Sequence, residues 1–323
     1  MKKAEIIQGE MNRRGSRGIP FAFLIDFEAK YPQIFTSEKT EENIFWQTPL
    51  FNKLPENEKT PKLERWSTQP VSFETYKKGF DLVQHHIHNG DTYLLNYTRP
   101  TQVDCNLSIE EIFHISSAPY KVLLKNRFVC FSPESFVKIN KGKISSFPMK
   151  GTIDAETENA EGLILADSKE LAEHNTIVDL IRNDLSLVAE NVTVEKFRYL
   201  ERIKTNQKDL WQVSSEITGF LPEDYPEKIG DIIFQMLPPG SVSGAPKPKT
   251  VEIIRSAENY ERGYYTGIFG VFDGTNLDSC VLIRFIENQK GQLIYKSGGG
   301  ITFMSDAQTE YEELLKKVYV PVG

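Results

Sequence analysis

The chain mixes stretches whose apolar residues recur every three or four positions with shorter runs that are apolar throughout. In FETYKKGFDLVQHHIHNG, the residues Phe73, Tyr76, Phe80, Val83 and Ile87 keep helical spacing and Gly90 stops the pattern, which predicts an amphipathic helix. The runs YLLNYT, YKVLLKN, RFVCFSP, SFVKIN and KISSFPM follow, broken by Gly, Asn and Pro signals that suit antiparallel hairpins. SKELAEHNTIVDLIRNDLSLVAEN predicts a long helix, LWQVSSEITGF a strand, and VEIIRSAEN a helix opened by the Gly/Pro loop LPPGSVSGAPKPKT. Strands in YYTGIFGVFD, SCVLIRFIE and QLIYKSGGG precede a last helix, DAQTEYEELLKKVYV. Strands interleaved irregularly with helices predict an α+β fold with a mainly antiparallel sheet. Before Pro70 the pattern is uneven: Ile19–Glu28 reads as an apolar strand and NKLPENEKTPKLE as a loop or linker. A short segment, 1–70, is therefore expected to pack on a main domain, 71–323.

Composition narrows the classes. The chain has 323 residues, is 39% hydrophobic and 26% charged, and carries a formal net charge of -7 with no long Lys/Arg block. That is the make-up of a soluble globular protein with no electrostatic footprint for nucleic acid. The basic start, MKKAEIIQGEMNRRGSRG, lacks the apolar core of a secretory signal, and no later run is long enough to span a bilayer. A cytoplasmic location without membrane contact is expected. Cys105, Cys130 and Cys280 are far apart and form no C-x-x-C, which favours buried thiols over zinc or disulfides. His85, His86 and His88 crowd one helix end, where they suit the C-terminal dipole better than a metal.

Several residues could carry chemistry. Glu170 with Glu173, and Glu310 with Glu313, are spaced three apart, so each pair shares a helical face and could offer oxygens to Mg²⁺. Surface ion pairing fits them too, since Lys317 lies four residues after Glu313. In PPGSVSGAPK, Gly240 and Gly244 bare the backbone and Pro246 introduces a helix, so successive N–H groups could line an anionic ligand; no G-K-[ST] ending makes it a Walker loop. SGGG, Gly298 to Gly300, also bares amides at a strand end, as a bulge or turn would. Arg284 in CVLIRFIE needs a carboxylate from the protein or a substrate if buried. Glu134 in FSPESF sits among small and aromatic residues that could keep it a proton donor. Asp179, Arg182, Asn183 and Asp184 in DLIRND suit structural hydrogen bonding as well as catalysis.

Taken in order, SPESF, PMKGT, ELAEHNTIVDLIRND, PPGSVSGAPK, YYTGIFG, VLIRF, SGGGI and EYEELLKK resemble the motifs of the chorismate-utilising enzymes, over roughly residues 72 to 320. The resemblance implies two largely antiparallel sheets packed together and surrounded by helices, binding chorismate with Mg²⁺. Within the family, P-x-A-G-T marks anthranilate synthase component I and P-x-K-G-T aminodeoxychorismate synthase component I. This chain has PMKGT.

The resemblance implies that Lys150 attacks C2 of chorismate while Glu134 protonates the departing 4-hydroxyl, after which ammonia attacks C4 and expels the lysine. Desolvation in a closed site is expected to favour the free amine that this attack needs. By the same resemblance, Glu173 and Glu313 hold Mg²⁺ with Glu170 and Glu310 nearby. Gly151, Thr152, Ser243, Gly244, Tyr265, Arg284, Gly298, Gly299, Gly300 and Lys317 bind the substrate. Two positions depart from the family pattern: Leu94 stands where amination enzymes commonly have Gln and water-activating ones Lys, and Gln212 where a His is frequent. No G-x-C-x-G motif surrounds a cysteine, so ammonia is expected from a separate glutamine amidotransferase subunit, and no tryptophan-feedback segment is expected. Anthranilate synthase component I, isochorismate synthase and a catalytically silent chorismate-binding subunit stay open as alternatives.

Overall fold

The computed structural model describes residues 3–36, 43–56, 61–203 and 209–322, whose strands form two nine-stranded sheets. Every pairing between their strands is antiparallel. The first sheet runs in the order Met149–Asp154, Leu210–Phe220, Lys143–Ser146, Ser135–Asn140, Leu277–Val281, Ile268–Phe272, Phe21–Ile25, Gln33–Phe35, with Glu190–Ile203 also on Leu210–Phe220. The second runs Gly244–Ala245, Leu94–Cys105, Gln292–Thr302, Phe285–Gln289, Phe128–Ser132, Tyr120–Leu124, Ile44–Gln47, Asn52–Lys53, with Trp66–Pro70 also on Leu94–Cys105.

The sheets share one core. Ala22, Leu24, Phe269 and Cys280 of the first meet Val122, Leu124, Cys130 and Phe285 of the second. On the same strand, Phe21, Phe23 and Ile25 point the other way, into a core covered by helices Lys3–Gly15, Ser168–Ser186 and Ile229–Gln235. Burial on both faces is why FAFLI reads as an unbroken apolar run. Helices Phe73–His88, Lys247–Glu258 and Ala307–Lys316 cover the second sheet through Tyr76, Phe80, Val83, Ile253 and Leu314. Among the described residues no helix is long and apolar enough to cross a membrane.

Local structure differs from the sequence pattern in instructive places. The stretch before Pro70 supplies strands to both sheets, because Phe21–Ile25 pairs with Ile268–Phe272 and Ile44–Gln47 with Tyr120–Leu124. SCVLIRFIE is two strands in different sheets, and Arg284 stands at the crossing with φ 55°, the left-handed turn that redirects the chain. The long helix stops at Ser186, and the charged run after it is the strand Glu190–Ile203, whose polar face hides the alternation.

A buried ion pair ties these layers together. Arg262, 3% exposed, donates through Nη2 and Nε to Glu258, 2% exposed, at 2.6 and 2.9 Å. Arg262 also donates to the carbonyls of Val242 (2.8 Å) and Asn96 (2.6 Å), while Glu258 accepts from Thr98 N and Oγ1, both at 2.8 Å. Removing one partner strands a buried charge. Glu258→Ala is therefore expected to lower the unfolding free energy in urea by about 3–5 kcal/mol; a loss under about 1 kcal/mol would remove this pair from its structural role.

Candidate active site

A cavity of ≈ 530 Å³ opens where the first sheet's edge, the second sheet's strands and two helices converge. Its wall includes Lys150, which the sequence placed at a turn but which lies inside the strand Met149–Asp154. Met149 pairs with Ser214 and Thr152 with Gln212, so Lys150 and Gly151 together oppose Val213 alone, a β-bulge. Gly151 permits it with φ 85°, and the extra residue re-aims Lys150 toward the cavity.

Lys150 Nζ lies 2.6 Å from Glu173 Oε2. Burial pushes the amine down, but Glu173, with Glu170 and Glu313 behind it, outweighs burial and holds Lys150 above its ordinary range. The direction is thus opposite to the expectation that desolvation frees the amine: the neighbouring carboxylates favour the ammonium. Glu134 has the opposite setting. Burial raises its carboxyl above the ordinary 4.5, and the hydrogen bond from Ser241 Oγ at 2.5 Å and the Arg284 charge offset only part of that. A carboxyl held this way releases its proton less readily than a solvated one, the setting a proton donor needs.

The loop carrying Ser241 is clamped by Asp184, which accepts from Gly240 N at 3.1 Å and pairs with Lys247 at 2.6 Å. That resolves DLIRND: Asp184 is a loop clamp, while Asp179 and Arg182 make an exposed ion pair at 2.6 Å with Asn183 beside them.

Of the paired carboxylates, Glu173 holds Lys150, Glu313 pairs with Lys317 at 2.7 Å, and Glu310 accepts from Ser305 at 2.8 Å. Glu170 Oε2 is buried without a hydrogen-bond partner. Among the described residues no three His, Cys, Asp or Glu side chains form a ready-made metal cage. Mg²⁺ does not require one, since it keeps waters and takes one or two protein carboxylates with substrate oxygens. An unpartnered Glu170 oxygen near Glu173 and Glu313 is a donor set of that hard-oxygen kind.

The rest of the wall favours anions. Arg284 Nε is buried without a partner, and no carboxylate among the described residues pairs with the guanidinium, which stands over the Tyr319 ring at 5.6 Å. Lys317 donates to Gly298 O at 2.9 Å, and the three glycines are inside the strand Gln292–Thr302, paired with Asn96–Thr98, rather than in a turn. Thr152, Ser243, Tyr265 and Gly298–Gly300 line the cavity with Arg284 and Lys317.

Two expected residues stand back from it. Gly244, at φ 130°, fits tightly against Leu94 O, and Glu310 lies behind Gly299. Leu94 and Gln212 do face the cavity, joined by residues that sequence reasoning missed: Asn96, Ser241, Thr266, Lys316 and Tyr319. Asn96 was legible in principle, two residues from Leu94 and so on the same strand face. The three histidines have separate partners, Asn89, Asp91 and Gln84 O. Burial raises the Cys130 and Cys280 thiols, as expected of core cysteines.

Residues 24–322 match the family model described as chorismate binding enzyme, and the chain belongs to that family. It is 50% identical over 313 residues to an "Uncharacterized PabA-like protein" of Haemophilus influenzae, covering 97% of this chain and 95% of the relative. It is also 32% identical to "Anthranilate synthase component 1" of Acetivibrio thermocellus (84% of this chain, 56% of the relative). To "Aminodeoxychorismate synthase component 1" of Klebsiella aerogenes it is 28% identical, over 92% of this chain and 67% of the relative. The solved menaquinone-specific isochorismate synthase MenF of Escherichia coli, 14% identical, shares the fold with a TM-score of 0.75 over 98% of this chain and 81% of that one. The protein is thus a chorismate-utilising enzyme with the two-sheet fold of its family.

The raised Glu134 carboxyl has a stability consequence. Its contribution is fully present below the unfolded value near 4.5 and is lost as pH rises through the higher folded value. Glu134→Gln is therefore expected to gain stability relative to the parent between mildly acidic and neutral pH in urea titrations. A difference that stays constant with pH would contradict a raised carboxyl.

Proposed function

We propose that the protein is an aminodeoxychorismate synthase component I, converting chorismate and ammonia to 4-amino-4-deoxychorismate through a covalent lysine intermediate. The observation that carries this reading is Lys150 itself, placed on the cavity wall by a bulge 2.6 Å from Glu173. Once Lys150 has lost its ammonium proton to solvent, its free amine forms the bond to C2 as the C4–O bond breaks, and Glu134 gives its proton to the departing oxygen, which leaves as water. Ammonia then forms the C4–N bond, the bond to Lys150 breaks, and a proton from the new amine returns to Glu134.

Glu173 and Glu313, with Glu170 and Glu310 nearby, would hold Mg²⁺. Bound there, the ion would neutralise a substrate carboxylate and the acidic charge that keeps Lys150 protonated. Arg284 and Lys317 would take the pyruvyl carboxylate, for which a buried guanidinium with a free Nε donor is suited. The ammonia would come from a glutamine amidotransferase on a separate chain. A second reading, anthranilate synthase component I, is favoured by the 32% identical relative of that name. Leu94, an apolar residue on the wall, supplies no amine to activate water and weighs against isochorismate formation.

Incubation with chorismate, Mg²⁺ and ammonium, followed by separation of products, distinguishes these readings. The proposal expects 4-amino-4-deoxychorismate, and anthranilate or isochorismate as the main product overturns it. Lys150→Ala is expected to lower kcat by at least about 10³, the scale for losing a nucleophile. Near-parental turnover in that variant would refute the covalent route.

A further inference from the structure

A second cavity, ≈ 470 Å³, lies against the first and shares Gly151, Thr152 and Glu170 with it. Its remaining wall is Ile153 on the same strand, Leu163, Ile164 and Ala166 on helix Ala160–Ala166, and Asp167. The two spaces share one wall. It runs through the bulge at Gly151, where a Cβ would sit 3.0 Å from Glu170 Oε2. That oxygen is buried without a hydrogen-bond partner, on the wall that the two cavities share.

The two cavities differ in charge. The main one is lined by Lys150, Arg284, Lys296, Lys316 and Lys317 as well as its glutamates. Among the described side chains of the second, the charged groups are Asp167 and Glu170. A dianion such as chorismate is drawn to the first and repelled by the second, whereas ammonium, a small cation with only N–H donors, is favoured by the second. Timing gives this separation a use. Once a ring with two carboxylates fills the main cavity and is joined to Lys150, the nucleophile must reach the ring by another path, next to that lysine.

We propose that the second cavity is the entry port for ammonia, admitting it past Gly151 and Glu170 to the substrate bound at Lys150. This rests on the amination reading above. The port has an apolar side, Leu163 and Ile164, and an acidic side, Asp167 and Glu170, so it offers ammonium a place to gather and neutral ammonia a way through. The two substrates thus enter by separate doors.

Ala166 and Leu163 are exposed and outside the reacting groups, which makes them suitable for a test. Ala166→Trp, which narrows the port, and Leu163→Lys, which adds a repelling cation, are each expected to raise the KM for ammonium about tenfold, a change of about 1.4 kcal/mol. The KM for chorismate and the adduct mass seen with chorismate alone should stay at parental values, which also shows that the variants are folded. Ammonium kinetics within about twofold of the parent in both variants overturn the port. So does a rise in the chorismate KM instead. Failure of the parent protein to aminate chorismate at all overturns the functional reading, a distinct outcome.

Discussion

The buried pair between Arg262 and Glu258 is the constraint on which the cavity depends. Its hydrogen bonds join the end of helix Lys247–Glu258, the strand Leu94–Cys105 and the loop that ends at Ser243. A guanidinium taken out of water keeps its charge, so its donors must find oxygens, and here the Glu258 carboxylate and the Thr266 hydroxyl are joined by the backbone carbonyls of Asn96 and Val242 at the cavity floor. Asn96 and Val242 are thereby fixed at the carbonyl, and the side chains between them and the ligand space inherit that position. Asp184 does the same for Gly240 from the other side, and Ser241 is held against Glu134.

On that floor the site sets two ionisable groups in opposite states. Glu134 is a carboxyl whose burial favours the neutral form, and Lys150 is an amine whose neighbours favour the charged form. The acid therefore releases its proton less readily than a solvated carboxyl, and the lysine holds its proton more tightly than a solvated amine. For the acid this is the working state. For the lysine it is a resting state, which the Glu173 carboxylate at 2.6 Å maintains. Neutralising the acidic charge around it restores the influence of burial, and burial alone lowers an amine. The glutamates that suit a hard cation are thus the same groups that govern the lysine.

Much of this was legible in the sequence. Helical spacing from Phe73 to Ile87 and the apolar runs located the layers, and the ordered motifs located Lys150, Glu134, Glu173 and Arg284 before their geometry was known. What could not be read was long-range. A bulge is a mismatch between two strands some sixty residues apart, so PMKGT alone looks like a turn. CVLIRFIE shows no break, because the change of sheet is made by one left-handed residue, Arg284. Glu190–Ile203 was missed because its charges obscure a period of two. The balance that keeps Lys150 protonated depends on carboxylates from two separate helices, and local composition carries no trace of it.

Peptide mass mapping of enzyme trapped during turnover of chorismate with Mg²⁺ and ammonium bears most directly on the covalent route. The account predicts a substrate-derived mass on the peptide containing Lys150, absent without chorismate. Product formation with that peptide unmodified, or with the added mass on another lysine, would contradict it.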